Sequence, residues 1–85
     1  MNIRERIVET LTEIFEEDEL EVPAFSDELV LLDTDLDSLG FAVLVTRLED
    51  ELGYDPFALM TEPVYPVKFG ELVEVYERFA SHART

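Results

Sequence analysis

Apolar residues recur at helical spacing in three separate stretches of this chain, and nowhere do they alternate with the period of two that a half-buried strand requires. Segments of that kind hide their apolar faces by packing on one another as helices. In the first, Ile3, Ile7, Val8, Leu11, Ile14 and Phe15 form one face and Arg4, Glu5, Glu9 and Glu13 the other. Asn2 is placed to cap it. The crowd Glu16-Glu17-Asp18-Glu19 should end this helix, over about residues 3–16, because carboxylates are unfavourable at the negative end of the helix dipole and Pro23 follows. The second stretch, about 38–52, has a core-facing stripe of Leu39, Ala42, Val45, Leu48 and Leu52, with Gly53 as the terminating glycine. The last, about 68–80, sets Phe69, Leu72, Val73, Tyr76, Phe79 and Ala80 against Glu71, Glu74, Glu77 and Arg78, with Gly70 early enough to cost little. A short helix at about 56–61 begins on Pro56 and is stopped by Pro63 and Pro66, and residues 81–85 form a frayed tail.

These segments predict an all-α fold in one domain, 1–85: a small four-helix bundle of three main helices and one short one, with a long loop over 17–37. The core is expected from Ile7, Leu11, Phe15, Leu39, Val45, Leu48, Leu52, Leu72, Val73 and Tyr76, with some of Phe25, Leu29, Leu31 and Leu32 pinning the loop. Phe41, Tyr54, Phe57 and Tyr65 read as core or core-rim packing more readily than as the lining of a groove. Eighty-five residues suffice for one modest core but not for a core and a deep catalytic cleft. At 47% hydrophobic residues the chain is too apolar to be a disordered acidic tail, despite a formal charge of -15. That charge argues against nucleic-acid phosphates and anionic membranes as partners and in favour of a basic protein surface. Without cysteine there is no disulfide, thiolate nucleophile or cysteine metal site. The charged, amphipathic N-terminus carries no continuous apolar segment, so neither a signal peptide nor a membrane span is expected. A cytoplasmic monomer is the default.

Acid accumulates unevenly. No basic residue stands between Arg6 and Arg47, while twelve acids fall between Glu9 and Asp37. The run ends at Asp37-Ser38-Leu39, where the second helix begins. Ser38 thus lies at or beside an N-cap, where free backbone N–H groups and the positive end of the helix dipole favour an anion such as a phosphodiester. The first half of this helix is more apolar than one stripe requires. Phe41, Val43 and Leu44 extend its apolar surface beyond the core arc, so a neighbouring element or a partner must cover them.

The tripeptide Asp37-Ser38-Leu39, the acidity, the length and the order of helices together resemble the acyl carrier protein family over nearly the whole chain. The resemblance implies 4′-phosphopantetheine carried on Ser38, attached by a phosphopantetheinyl transferase using magnesium and coenzyme A. A ligase or acyltransferase would then load the arm's terminal thiol with an acyl or aminoacyl group as a thioester. Asp37 would help transferase recognition and Leu39 would pack beneath the arm. Partner enzymes would dock on Asp35, Gly40, Phe41, Val43, Leu44 and Arg47. Carriers of fatty acid synthases usually have acids in the first turns of the second helix, where this chain has Gly40 and Val43, and a glycine near the place of Asp35. A freestanding carrier for a dedicated pathway, loaded by an adenylating ligase, fits these departures as well or better.

Two other chemistries compete. Asp33, Asp35 and Asp37 have the first spacings of an EF-hand loop, but the glycine position is Ser38 and the bidentate glutamate position is Leu44, so calcium is disfavoured. His82, the only histidine, lies in the expected tail, and no serine–histidine pair can be argued from spacing. A non-catalytic interaction module would use the patch of Phe41, Val43 and Leu44 to recognise a helix, without needing the Ser38 hydroxyl.

Overall fold

Four α-helices follow in the order α1 (Ile3–Glu17), α2 (Ser38–Leu52), α3 (Pro56–Leu59) and α4 (Phe69–Arg78), with 3₁₀ turns at Leu31–Asp33 and Ala80–His82. The computed structural model describes residues 2–62 and 65–83. Pro63, expected to help stop the short helix, and Arg84 and Thr85 of the expected tail lie outside the described residues. The fold is all-α. Among the described residues the only strand-like pairing is an isolated antiparallel bridge between Val30 and Lys68. The radius of gyration, 12.2 Å, matches the value of about 12 Å expected for a compact chain of this length.

The helix ends follow from local chemistry. Asn2 caps α1, its side chain accepting from the Glu5 N–H at 2.8 Å. At the other end the chain turns through Glu19 at φ 58, a left-handed conformation normally left to glycine, and the Leu20 N–H reaches back to the Phe15 carbonyl at 2.8 Å. Asp37 caps α2 through its side chain, and Gly53 closes it at φ 89. Asp55 caps α3, which spans four residues and is shorter than expected. In place of a fraying tail, residues 80–82 wind into a 3₁₀ turn that stands Phe79 and His82 rings 6.2 Å apart.

One face of each main helix enters a common core, with α1 packed against both α2 and α4. Ile7, Leu11, Ile14 and Phe15 come from α1, Leu44 and Leu48 from α2, and Phe69, Leu72, Val73 and Tyr76 from α4. Leu31 and Leu36 are added from the loop, and Tyr54 from the turn after α2, its hydroxyl donating to the Tyr76 carbonyl at 2.5 Å. Leu32, one of the candidate loop pins, is 75% exposed.

The phase of α2 differs from the expected stripe. Gly40, Leu44 and Leu48, spaced four apart, point inward, while Leu39 is 73% exposed, Ala42 is exposed, and Val45 and Leu52 are only half-buried. Leu44 is fully buried, which removes it from the surface proposed for docking. Gly40 is removed for a related reason: a Cβ there would lie 2.7 Å from Leu36 Cδ1, because the loop's leucine packs directly on the helix backbone. With apolar residues on every side of its first half, α2 could have turned either arc inward. The insertion of Leu36 beside Gly40 selects the observed one.

The long loop is strapped to the start of α4. The Phe69 and Gly70 N–H groups donate to the Leu29 and Asp27 carbonyls at 2.8 and 3.0 Å, and the Leu31 N–H donates to the Val67 carbonyl at 3.0 Å. Helix α4 has no side-chain cap from the residue before it, so loop carbonyls satisfy its first free N–H groups. Gly70 is required here for space. A Cβ would lie 2.9 Å from Asp27 Cβ and 3.1 Å from the Asp27 carbonyl oxygen. Ion pairs Arg4–Asp27 and Lys68–Glu28 brace the same strap.

Candidate functional site

Capping and exposure divide between two adjacent residues at the start of α2. Asp37 has the extended backbone of an N-cap, and its Oδ1 accepts from the Gly40 N–H at 2.7 Å, while its carbonyl accepts the first intrahelical bond, from Phe41, at 2.9 Å. Ser38 is the first helical residue and is exposed. Among the described residues its hydroxyl makes no hydrogen bond, whereas the Thr34 and Thr46 hydroxyls are tied to the Leu31 and Ala42 carbonyls. The capping role that could have explained this serine therefore belongs to its neighbour. The Ser38 and Leu39 N–H groups precede the first intrahelical bond, so the positive end of the helix remains open beside the hydroxyl.

Two grooves run along opposite flanks of α2. On the α3 side, Ser38, Phe41, Ala42, Val45, Thr46, Asp55, Phe57 and Tyr65 line a shallow groove of 410 Å³. Phe57 is its centrepiece, meeting the Phe41 ring edge-on at 5.9 Å and stacking on Tyr65 at 5.5 Å. On the α1 side, Leu39, Gly40, Val43 and Arg47 of α2 face Ile14, Glu17, Asp18 and Leu20 across a groove of 480 Å³ that Asp35, Leu36 and Asp37 close at one end. Ser38 opens on the first groove, and its neighbour Leu39 on the second. No family model, curated protein or solved structure matches the chain.

The expected docking patch thus separates into parts. Phe41 and Val43, two residues apart, lie on opposite flanks, and Leu44 between them and the core is covered. Arg47 is half-buried and held by Glu17 through hydrogen bonds of 2.6 and 3.0 Å. That contact holds the Glu17 carboxyl below its usual range and raises the Arg47 guanidinium further. Asp35 remains exposed on the rim of the α1-side groove. Of the four aromatics for which core packing was preferred over a groove lining, Phe41, Phe57 and Tyr65 line this groove and Tyr54 is in the core; Ala42, Val45 and Thr46 were not read as groove residues from the sequence, because nothing local says where a four-residue helix will dock. The aromatic spacing was the one available signal.

His82 does not approach Ser38. It lines a cleft with Glu49, Gly53 and Tyr54 at the far end of α2, and Glu49 alone is about 16 Å along the helix axis from Ser38 at the standard rise per residue. Among the described residues no three histidine or carboxylate groups gather into a metal-binding cluster, and Asp37, the last of the spaced aspartates, is engaged as the helix cap. No helix among them is long and apolar enough to cross a membrane.

Proposed function

We propose that this chain is a carrier protein of the acyl carrier type, with Ser38 as the attachment point for 4′-phosphopantetheine and Asp37 and Leu39 beside it. The observation that carries this reading is the division of labour at the start of α2: Asp37 caps the helix, and Ser38 presents an exposed, unengaged hydroxyl at the helix's positive end. A phosphodiester on Ser38 would gain from the adjacent N–H groups, and the groove that begins at Ser38 offers Phe41, Phe57 and Tyr65 as an apolar bed for whatever extends from it. When bound, the group supplies a terminal thiol on which an acyl or aminoacyl cargo is held as a thioester, a nucleophile this cysteine-free chain does not have.

The protein's own part is presentation. The carboxylates beside the hydroxyl, Asp37 and Asp55, each accept a backbone N–H as helix caps, and the histidine lines a different cleft, so this reading assigns activation of Ser38 to a transferase and loading to a ligase or acyltransferase. Gly40 cannot be exchanged for the acid that fatty-acid synthase carriers place there without displacing Leu36, which favours a carrier serving a dedicated pathway with its own ligase.

Intact mass after incubation with coenzyme A, magnesium and a broad-specificity phosphopantetheinyl transferase tests the reading. The wild type should gain one phosphopantetheine and Ser38→Ala none. A folded wild-type chain that gains nothing would sink the carrier assignment and leave an interaction module.

A further inference from the structure

Tyr76 of α4 is completely buried, and its hydroxyl has no hydrogen-bond partner among the described residues. An unpaired hydroxyl at that depth opposes folding, and phenylalanine would fill the same place without the penalty. The other core tyrosine shows the ordinary solution, since the Tyr54 hydroxyl donates to the Tyr76 carbonyl. The Tyr76 ring meets Phe57 edge-on at 6.2 Å. Phe57 is also a wall of the groove on which Ser38 opens, and Asp55 lines the same groove. The orphan donor therefore belongs to a tyrosine one aromatic ring behind the Ser38 groove. That intervening ring sits on the four-residue α3, tied at its start by Asp55 Oδ1, which accepts from the Phe57 N–H at 2.9 Å. A single helical turn has little stability of its own, so the ring can turn aside at small cost. Burial pushes the Tyr76 hydroxyl pKa up and the charge of Asp55 adds to the shift, so the group stays a neutral donor near a carboxylate.

We propose that Tyr76 and Asp55 select a hydroxyl-bearing cargo: with Phe57 turned aside, a hydroxyl on the carried chain accepts from the Tyr76 O–H and donates to Asp55 Oδ2. This rests on Ser38 as the attachment point and adds which cargo the groove prefers. Asp55 Oδ1 is taken by the Phe57 N–H, while Oδ2 makes no hydrogen bond among the described residues. A hydroxyl satisfies both groups, because it accepts and donates at once. A ketone answers Tyr76 alone, and an ammonium answers Asp55 alone. A carboxylate is repelled by Asp55 and by Glu49, whose charge also reaches Tyr76. A plain alkyl chain leaves the buried hydroxyl unpaired. Phe41, Phe57 and Tyr65 offer contact to any cargo, whereas a site with a waiting polar group discriminates against a ligand that cannot pair with it.

The test loads Ser38 from acyl-coenzyme A with a broad-specificity phosphopantetheinyl transferase, using octanoyl and octanoyl with a hydroxyl near the thioester, mid-chain or terminal. Intact mass checks loading. Melting temperatures are compared, and nuclear Overhauser contacts are read from an isotope label on the oxygen-bearing carbon. In the wild type one hydroxylated form should melt roughly 4–8 °C above the octanoyl form, the shift one ordinary hydrogen bond gives in a domain of this size. Its labelled carbon should contact the Tyr76 ring. Tyr76→Phe keeps the ring and its packing, so it should abolish that advantage while the unmodified and octanoyl forms melt at or above wild type. Asp55→Asn keeps a carbonyl to cap α3 but puts an NH2 group in place of Oδ2, and it should lower the advantage. Hydroxylated and octanoyl forms that melt together, contacts confined to Phe41 and Tyr65, or an advantage that survives either substitution would each overturn the proposal and leave the carrier reading intact. A chain that takes no arm would overturn both.

Discussion

Leu39 and Leu44 carry the same side chain five residues apart, and only one of them holds the bundle together. Leu44→Ala should cost about 2–5 kcal/mol by opening a cavity in the core, whereas Leu39→Ala should stay within about 0.5 kcal/mol of wild type. Urea denaturation of the two variants reads the phase of α2 directly, and the reverse order would put the wrong arc inside. A second pair separates capping from presentation. Asp37→Ala should lose about 1 kcal/mol with the bond to the Gly40 N–H, while Ser38→Ala should change stability by less than about 0.5 kcal/mol. Comparable losses from both would return the cap to Ser38. The sequence placed this serine at the start of a helix after an acidic run, because caps and dipoles are local. It did not choose between Asp37 and Ser38, since both residue types cap well and the choice depends on one turn's backbone.

At the scale of elements, the three main helices were legible because each has its own period, and local signals mark starts at Asn2 and Pro56 and an end at Gly53. What joins them was not. The loop was expected to be held only by apolar pins, yet the carbonyls of Asp27 and Leu29 complete the start of α4, and Gly70, read as a tolerable weakness, is where the loop backbone must approach. Glu71 belongs to the same junction: its Oε1 accepts from the Lys68 and Val67 N–H groups at 2.8 and 3.0 Å, and these bonds hold its carboxyl below the ordinary value of 4.5. A carboxylate depressed by folding contributes stability that is fully present above its unfolded pKa and is lost as pH falls through its lower folded one. Glu71→Gln should therefore melt below wild type at pH 7, and the gap should close as pH drops below about 4.5. A gap that is constant across that range would mean the carboxylate charge contributes nothing at this junction.

For the whole molecule, 21 acids against 6 lysines and arginines impose a self-repulsion that the few surface ion pairs, such as Arg47–Glu17 and Lys68–Glu28, relieve only locally. Added salt should raise the melting temperature by screening it, most steeply below about 0.15 M, where the screening length is longest. A melting temperature indifferent to ionic strength would show that the charges are already too far apart to matter. By itself the sequence determined the all-α class, the extents of the main helices and the position of Ser38 at a helix start, because helical periodicity, capping and chain-terminating glycine and proline act over a few residues. Only the tertiary structure decided that Leu44 and Gly40 face inward, that Leu36 enters beside Gly40, and that the apolar surplus of α2 divides into a Ser38 flank and a Leu39 flank. Those outcomes depend on which neighbour arrives at each side of an already apolar helix, and contacts between residues distant in sequence leave no periodic trace in it.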